Sequence, residues 1–139
     1  MAFNSISVSK RIFLMYRYIL ITGSLLGAFT VILGALGSHL LEPYLNSVSR
    51  LATYETAIQY QFYHVFLILF IGLLYGYSYK AIIHYAFYTC VLGILLFSGS
   101  LYILCLTNNS TWGLLTPLGG VSLICSWLLL FLSIKKNRK

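Results

Sequence analysis

Charge is scarce in this chain. Only 8% of its 139 residues are charged, whereas an ordinary soluble domain carries ~25%. So few charges cannot clothe a water-facing surface of this size. With 60% of the residues hydrophobic, the physical way out is to let lipid solvate most of the surface. Acid is scarcer still, with Glu42 and Glu55 the two carboxylates. Cysteine is present three times, as Cys90, Cys105 and Cys125, always inside an apolar run. An odd count without a CxxC spacing excludes a disulfide scaffold and a zinc site, and leaves small buried hydrophobes. Proline occurs only at Pro43 and Pro117.

What charge there is has one sign. The net charge is +7 and the pI near 9.5. Lys10, Arg11 and Arg17 lie at the start, and Lys135, Lys136, Arg138 and Lys139 at the end. No aromatic residues alternate with a basic stripe, so nucleic acid is not the expected partner. Basic flanks beside apolar runs instead mark cytoplasmic anchoring in a lipid bilayer.

Apolar runs cover residues 18–41, 58–77, 81–106 and 115–134. Each exceeds the ~18 residues needed to cross a hydrocarbon core, and backbone in lipid must pair within its own segment, so all are read as helices. The expected fold is an all-α membrane domain, a bundle of four transmembrane helices in two hairpins. Residues 1–17 form a basic arm and 135–139 a basic tail. Lys and Arg divide eight against one, with Arg50 alone on the other side, so both termini are expected inside, in the cytoplasm. A cleavable leader, suggested by the small-x-small Ala35-Leu36-Gly37, is disfavoured because the preceding apolar run is long for a signal peptide. The arm, acid-free and rich in Ser, also fits a mitochondrial targeting segment.

The connections carry further expectations. Pro43 is read as the stop of the first helix, and residues 44–53 as a short helix on the outer membrane surface. The second connection, around Lys80, is a tight turn. Asn108, Asn109 and Ser110 read as a turn with Trp112 at the interface, and Thr116-Pro117 as an N-cap followed by proline at the first helical position.

Polar residues gather at one level of the runs. His39 ends the first; Glu55, Gln59, Gln61, Tyr63 and His64 open the second; Ser98 and Ser100 lie past the middle of the third; Thr116 opens the fourth. All point to the outer leaflet, where unpaired polar groups are costly, so they are expected to face the bundle interior. At 100° per residue Glu55, Gln59 and Tyr63 share one face of the second helix, and Thr53, Thr56, Tyr60 and His64 another. Glu55 is expected to hydrogen-bond to His39, directly or through Gln59 or a water; the alternative is that it points to water. His39 and His64 invite a haem or metal reading, but further ligands are missing from the sequence, so no metal or cofactor is expected. His84 is expected to reach the interface near the inner end of the third helix. Ser98 and Ser100 have no base arranged to activate them, which weakens a hydrolase reading.

Small residues sit at packing spacing: Gly23 with Gly27, Gly72 with Gly76, and Ser122 with Ser126. Gly34, Gly37, Gly99, Gly119 and Gly120 are expected to serve helix packing as well.

Residues 33–40 (LGALGSHL), 52–64 (ATYETAIQYQFYH), 93–102 (GILLFSGSLY) and 116–120 (TPLGG), with Trp127, resemble in order the blocks of a small four-helix membrane family, domain of unknown function 423. It includes YgdD-like bacterial proteins and transmembrane protein 256-like animal proteins. The family more often has Gly-Ala-Phe-Gly-Ala-His where this chain has Gly-Ala-Leu-Gly-Ser-His, and many bacterial members have a shorter arm. The resemblance implies a bacterial inner membrane or a mitochondrial membrane, and no reaction. The expected role is non-enzymatic, supporting membrane integrity or complex assembly, with a homo-oligomer or larger membrane complex as partner. The alternative is a polar outer-leaflet pocket that binds or transports a small molecule or lipid headgroup.

Overall fold

A computed structural model of the chain describes residues 2–136, with side chains from Phe13 onward. Arg138 and Lys139 of the basic tail, and the side chains of Lys10 and Arg11, lie outside what is described. The described elements are α1 (Ala2–Ser38), α2 (Glu42–Ser47), α3 (Leu51–Leu74), α4 (Lys80–Ile94), α5 (Ser100–Thr107) and α6 (Thr116–Lys136). A π-helical turn at Leu95–Gly99 joins α4 to α5 without interrupting the rod. Among the described residues four stretches are long and apolar enough to cross a membrane: Phe13–Ser38, Leu51–Tyr77, Lys80–Thr107 and Ser110–Lys136.

The helices pair along the chain, α1 against α3 and α4 against α6, giving two hairpin-like halves. Helix α3 joins them, touching α4, α5 and α6 on its other side. Lipid tails are as apolar as Leu, so close packing holds such a bundle together more than water exclusion does. The core shows it. Ile19, Leu67, Ile68, Ile71, Ile83, Phe87, Cys90, Ile94 and Leu123, from α1, α3, α4 and α6, interlock in one cluster, and Leu45, Tyr54, Ala57, Leu101, Leu104 and Cys105, from α2, α3 and α5, in another.

Glycines set the spacing. A Cβ on Gly23 would lie 2.7 Å from Leu69 Cδ2, one on Gly37 2.4 Å from Tyr54 Cε1, and one on Gly72 2.6 Å from Leu20 Cδ2. Gly27 faces Val65 at 3.3 Å. The tightest seat is Gly119, whose Cβ would meet backbone: Phe97 N at 2.4 Å and Phe97 Cα at 2.7 Å. Gly93, which the spacing rule passed over, packs against Leu123 at 2.5 Å. Gly34 and Gly120 have only loose neighbours, at 3.9 and 3.8 Å, and Gly76 and Gly99 have nothing within 4 Å. Packing within this chain therefore does not need those last two as glycine.

The two serines expected to permit close approach do more. Ser122 Oγ donates to Thr89 O (2.8 Å) and Ser126 Oγ to Ala86 O (2.7 Å), stitching α6 to α4.

Several local expectations need correction. The arm is helical and continuous with the first span, since α1 runs unbroken from Ala2. Helix α1 ends at Ser38, ahead of Pro43, and Pro43 instead begins α2, where its missing N–H costs nothing. Helix α2 is the short helix of the first connection, exposed except at Leu45, which is fully buried in the bundle. Helix α3 starts at Leu51, seven residues before the apolar run, because its polar first turns still bury Tyr54 and Ala57. Thr116 is not an N-cap. A 3-10 turn at Ser110–Leu115 leads straight into it, and its own φ and ψ are helical. Asn108, at φ 50° and ψ 26°, stops α5 in the left-handed region that Asn tolerates. Trp112 is exposed at the turn that follows.

Candidate functional site

Two ends can be told apart. Lys80, Lys135 and Lys136 mark the basic end, and the turns 39–50 and 108–115 lie at the far end. At the far end Arg50 is the clamp. Its Nε donates to Asn108 Oδ1 (3.1 Å) and its Nη2 to Ser110 Oγ (2.9 Å), while Tyr44 OH donates to Leu106 O (2.9 Å). The sequence presents Arg50 only as the one basic residue on the wrong side of a charge count. Its role needs two turns far apart in sequence to meet. At the basic end Lys80 Nζ donates to Tyr75 O and lies over the Tyr75 ring, 4.6 Å from its centroid. Lys136 covers Tyr79 at 4.2 Å, and Tyr79 N donates to Ser133 O (3.0 Å). His84 Nε2 pairs with Tyr75 OH at 2.9 Å.

The polar residues singled out from the sequence do not form one site. They separate into a buried set and a surface set. In the buried set, Gln61 joins three helices. Its Nε2 donates to Thr30 Oγ1 (2.7 Å) on α1, and its Oε1 accepts from Tyr102 OH (3.0 Å) on α5. Thr30 passes its own proton to Leu26 O (2.7 Å), so the chain of bonds is closed and has one direction. Tyr54 adds a second strut, its OH donating to Leu33 O (2.9 Å).

His64 is equally committed. Nδ1 lies 2.7 Å from Tyr60 O, and a carbonyl only accepts, so Nδ1 carries the proton. Nε2 then accepts from Trp127 Nε1 (3.3 Å). Both ring nitrogens are used, so no lone pair is left for a metal, a haem or a substrate proton. Among the described residues no group of three His, Cys, Asp or Glu side chains comes together.

The π turn completes the buried set. A π turn inserts one extra residue and swings the side chains that follow. Here Ser98 Oγ donates to Ala57 O (2.8 Å), and Ser100 Oγ pairs with Thr116 Oγ1 (3.1 Å). Gly119 is pressed against the same turn, at Leu96 and Phe97. The bulge thus fits α5 to α3 on one side and to α6 on the other.

The surface set lies on α3. Glu55, Gln59 and Tyr63 are all exposed, so this face of the helix does not pack on protein as expected. Gln59 Nε2 donates to Tyr63 OH (2.7 Å). The expected tie from Glu55 to His39 is not made: among the described residues no hydrogen bond or ion pair joins Glu55 to His39 or Gln59. Helix α1 ends before His39, which sits exposed in the turn, and that removes the placement on which the tie depended. Instead, Glu55 and Gln59 line an open cleft of ≈ 380 Å³ between α1 and α3, together with Gly34, Gly37 and Ser38 of α1 and Leu51, Tyr54 and Ile58 of α3.

Sequence reasoning missed Thr30, Tyr54, Tyr102 and Arg50 as members of the polar framework. A tyrosine or threonine deep in an apolar run is a signal in itself, because its hydroxyl must find a partner there.

Comparison with known proteins agrees with this picture of a packed membrane bundle. Residues 33–120 match the family model described as "Protein of unknown function (DUF423)". The chain is 37% identical over 120 residues to UPF0382 membrane protein SH2409 of Staphylococcus haemolyticus, covering 86% of this chain and 97% of that one. It is 33% identical over 124 residues to UPF0382 inner membrane protein YgdD of Escherichia coli K12, covering 88% and 94%. A UPF0382 membrane protein of Staphylococcus epidermidis is 38% identical over 120 residues, covering 86% and 97%. No solved structure matches. The matched region holds the buried Gln61, His64, Ser98 and Ser100, the half-buried Thr116, the Gly119 seat and the cleft. With four membrane-crossing helices and relatives named for the membrane, this chain is an integral inner membrane protein and belongs to the DUF423 family of unknown function.

Proposed function

We propose that the chain is a non-enzymatic membrane protein that supports the integrity of the membrane or the assembly of larger complexes in it. One observation carries the reading. The deep polar side chains, Gln61, His64, Ser98, Ser100 and Thr116, end in hydrogen bonds to other parts of the same bundle. A nucleophile or general base needs a free lone pair aimed at a substrate and an orienting partner. These residues spend their polar atoms on holding helices in register. Meanwhile Leu25, Val31 and Ile32 of α1, and Val121, Ile124 and Phe131 of α6, stay exposed and apolar. That surface suits lipid, a second copy or another membrane chain.

In this reading both termini lie in the cytoplasm, as the eight-to-one division of Lys and Arg favours. Reporters fused after Lys139 and within the turn at Lys80 will report cytoplasm, and one near Asn109 the opposite side. A cytoplasmic signal at Asn109 overturns the orientation. For the function, a strain lacking the gene will lose membrane potential, permeability control or complex content; all three unchanged would count against the role.

A further inference from the structure

We propose that the cleft between α1 and α3 binds a primary ammonium group, with Glu55 as its counter-ion and Gln59 and Ser38 as its hydrogen-bond acceptors. The inference goes beyond the scaffold role and does not depend on it.

The argument starts from which protons are already spent. Ser38 Oγ donates to Gly34 O (3.0 Å), Gln59 Nε2 to Tyr63 OH (2.7 Å) and Tyr54 OH to Leu33 O (2.9 Å). Ser38 and Tyr54 therefore direct their protons into the protein, and Gln59 spends one of its two amide N–H groups on Tyr63. What they offer a guest is mostly acceptors, the Ser38 lone pairs, Gln59 Oε1 and the Glu55 carboxylate, against one remaining Gln59 N–H. A lining of acceptors with one negative charge selects a guest that is positive and carries several N–H donors.

Among the described residues no cation of the protein fills that role. Arg50, the cation of the far end, is held by Asn108 and Ser110. Among the described residues Glu55 makes no ion pair. Depth makes this costly. The span Leu51–Tyr77 has 27 residues. At 1.5 Å each it is ~40 Å long, against a ~30 Å hydrocarbon core. Sharing the excess between both ends puts the boundary roughly one turn into α3, at Glu55. A carboxylate at that boundary gains from a partner. The cleft has the room, ≈ 380 Å³, and Gly34 puts no side chain into it.

An ammonium of this kind is carried by an ethanolamine lipid headgroup or by a free amine from the water phase, and one experiment separates them. The full chain, purified in mild detergent, is offered equimolar phosphatidylethanolamine and phosphatidylcholine, and bound lipid is counted by native mass spectrometry. The two lipids have the same net charge, but choline has no N–H to donate. The wild type is expected to prefer phosphatidylethanolamine about fivefold, the scale of one charge-assisted hydrogen bond at a partly exposed site. Glu55→Gln, at an exposed position, keeps the fold and is expected to bring the ratio near one. In a second arm ethanolamine is titrated without lipid and the melting temperature followed. A rise in the wild type that Glu55→Gln abolishes, without lipid preference, assigns the site to soluble amines. No preference and no rise in the wild type, or either effect undiminished in Glu55→Gln, overturns the proposal. None of these readouts involves the deletion strain, so the cleft and the scaffold role stand or fall separately.

Discussion

Gly119→Ala is the sharpest perturbation of the bundle. The added Cβ would lie 2.4 Å from Phe97 N, 2.7 Å from Phe97 Cα and 2.8 Å from Leu96 C. An ordinary contact is ~3.5 Å, so α6 has to retreat by roughly 1 Å from the π turn. The obstacle is backbone, and no side-chain rotation relieves it. A radial gap of that size forfeits about a quarter to a half of each dispersion contact along the seam. It also stretches the Ser100–Thr116 pair, now at 3.1 Å. Overpacking of this kind costs about 1–3 kcal/mol, and a weakened interhelical hydrogen bond in a membrane ~0.6 kcal/mol more. Alanine returns up to ~1 kcal/mol in helix propensity. A net loss of ~2 kcal/mol corresponds to a fall of about 4–8 °C in melting temperature for a chain of this size. Thermal unfolding in detergent measures it, with Gly99→Ala as control, since nothing lies within 4 Å of a Cβ there. Phe97→Ala should restore none of the loss. By contrast Leu69→Ala should restore part of the loss in Gly23→Ala, whose obstacle is the Leu69 side chain. Equal melting temperatures for Gly119→Ala and Gly99→Ala would refute the reasoning.

Other variants probe separate parts of the fold. Arg50→Gln removes the clamp on Asn108 and Ser110 and is expected to cost ~1 kcal/mol, seen as a lower melting temperature and faster proteolysis of the 108–115 turn. Gln61→Met leaves Thr30 and Tyr102 without their shared partner and is expected to cost ~1–2 kcal/mol. Adding Tyr102→Phe to it should cost little more, because the two act through one bond. Ser49 is held at φ 55° by paired bonds, Arg50 N to Leu45 O and Ser49 N to Asn46 O, the Schellman arrangement that usually takes glycine. Ser49→Gly is therefore expected to stabilise the fold by ~0.5 kcal/mol, read as a slightly higher melting temperature.

The four spans were legible because run length and hydropathy are local properties. The ends of the helices were not. Residues 51–57 fall outside the apolar run, with 44–53 read as a surface helix, yet Tyr54 and Ala57 are buried in a cluster with Leu101 and Leu104. Hydropathy thus places the start of α3 too late and the end of α1 too far along, past His39, and together these produce a tie the structure does not contain. The π turn at Leu95–Gly99 has no local signature; it follows from how α5 must meet α3 and α6 at once. GxxxG spacing found Gly23, Gly27 and Gly72 but also named Gly76, which has open space around it, and it passed over Gly93. Spacing reports which residues share a helix face. It does not report whether another helix lies there.

The central claim is that the chain works through its fold and not through a reactive side chain. It is tested most directly by complementing a deletion strain with Ser98→Ala, Ser100→Ala and Thr116→Val combined, and with His64→Gln, while folded protein in the membrane is quantified. The account predicts that membrane potential, permeability control and complex content return in proportion to the folded protein present. A variant that accumulates folded at the wild-type level and restores none of them would contradict it.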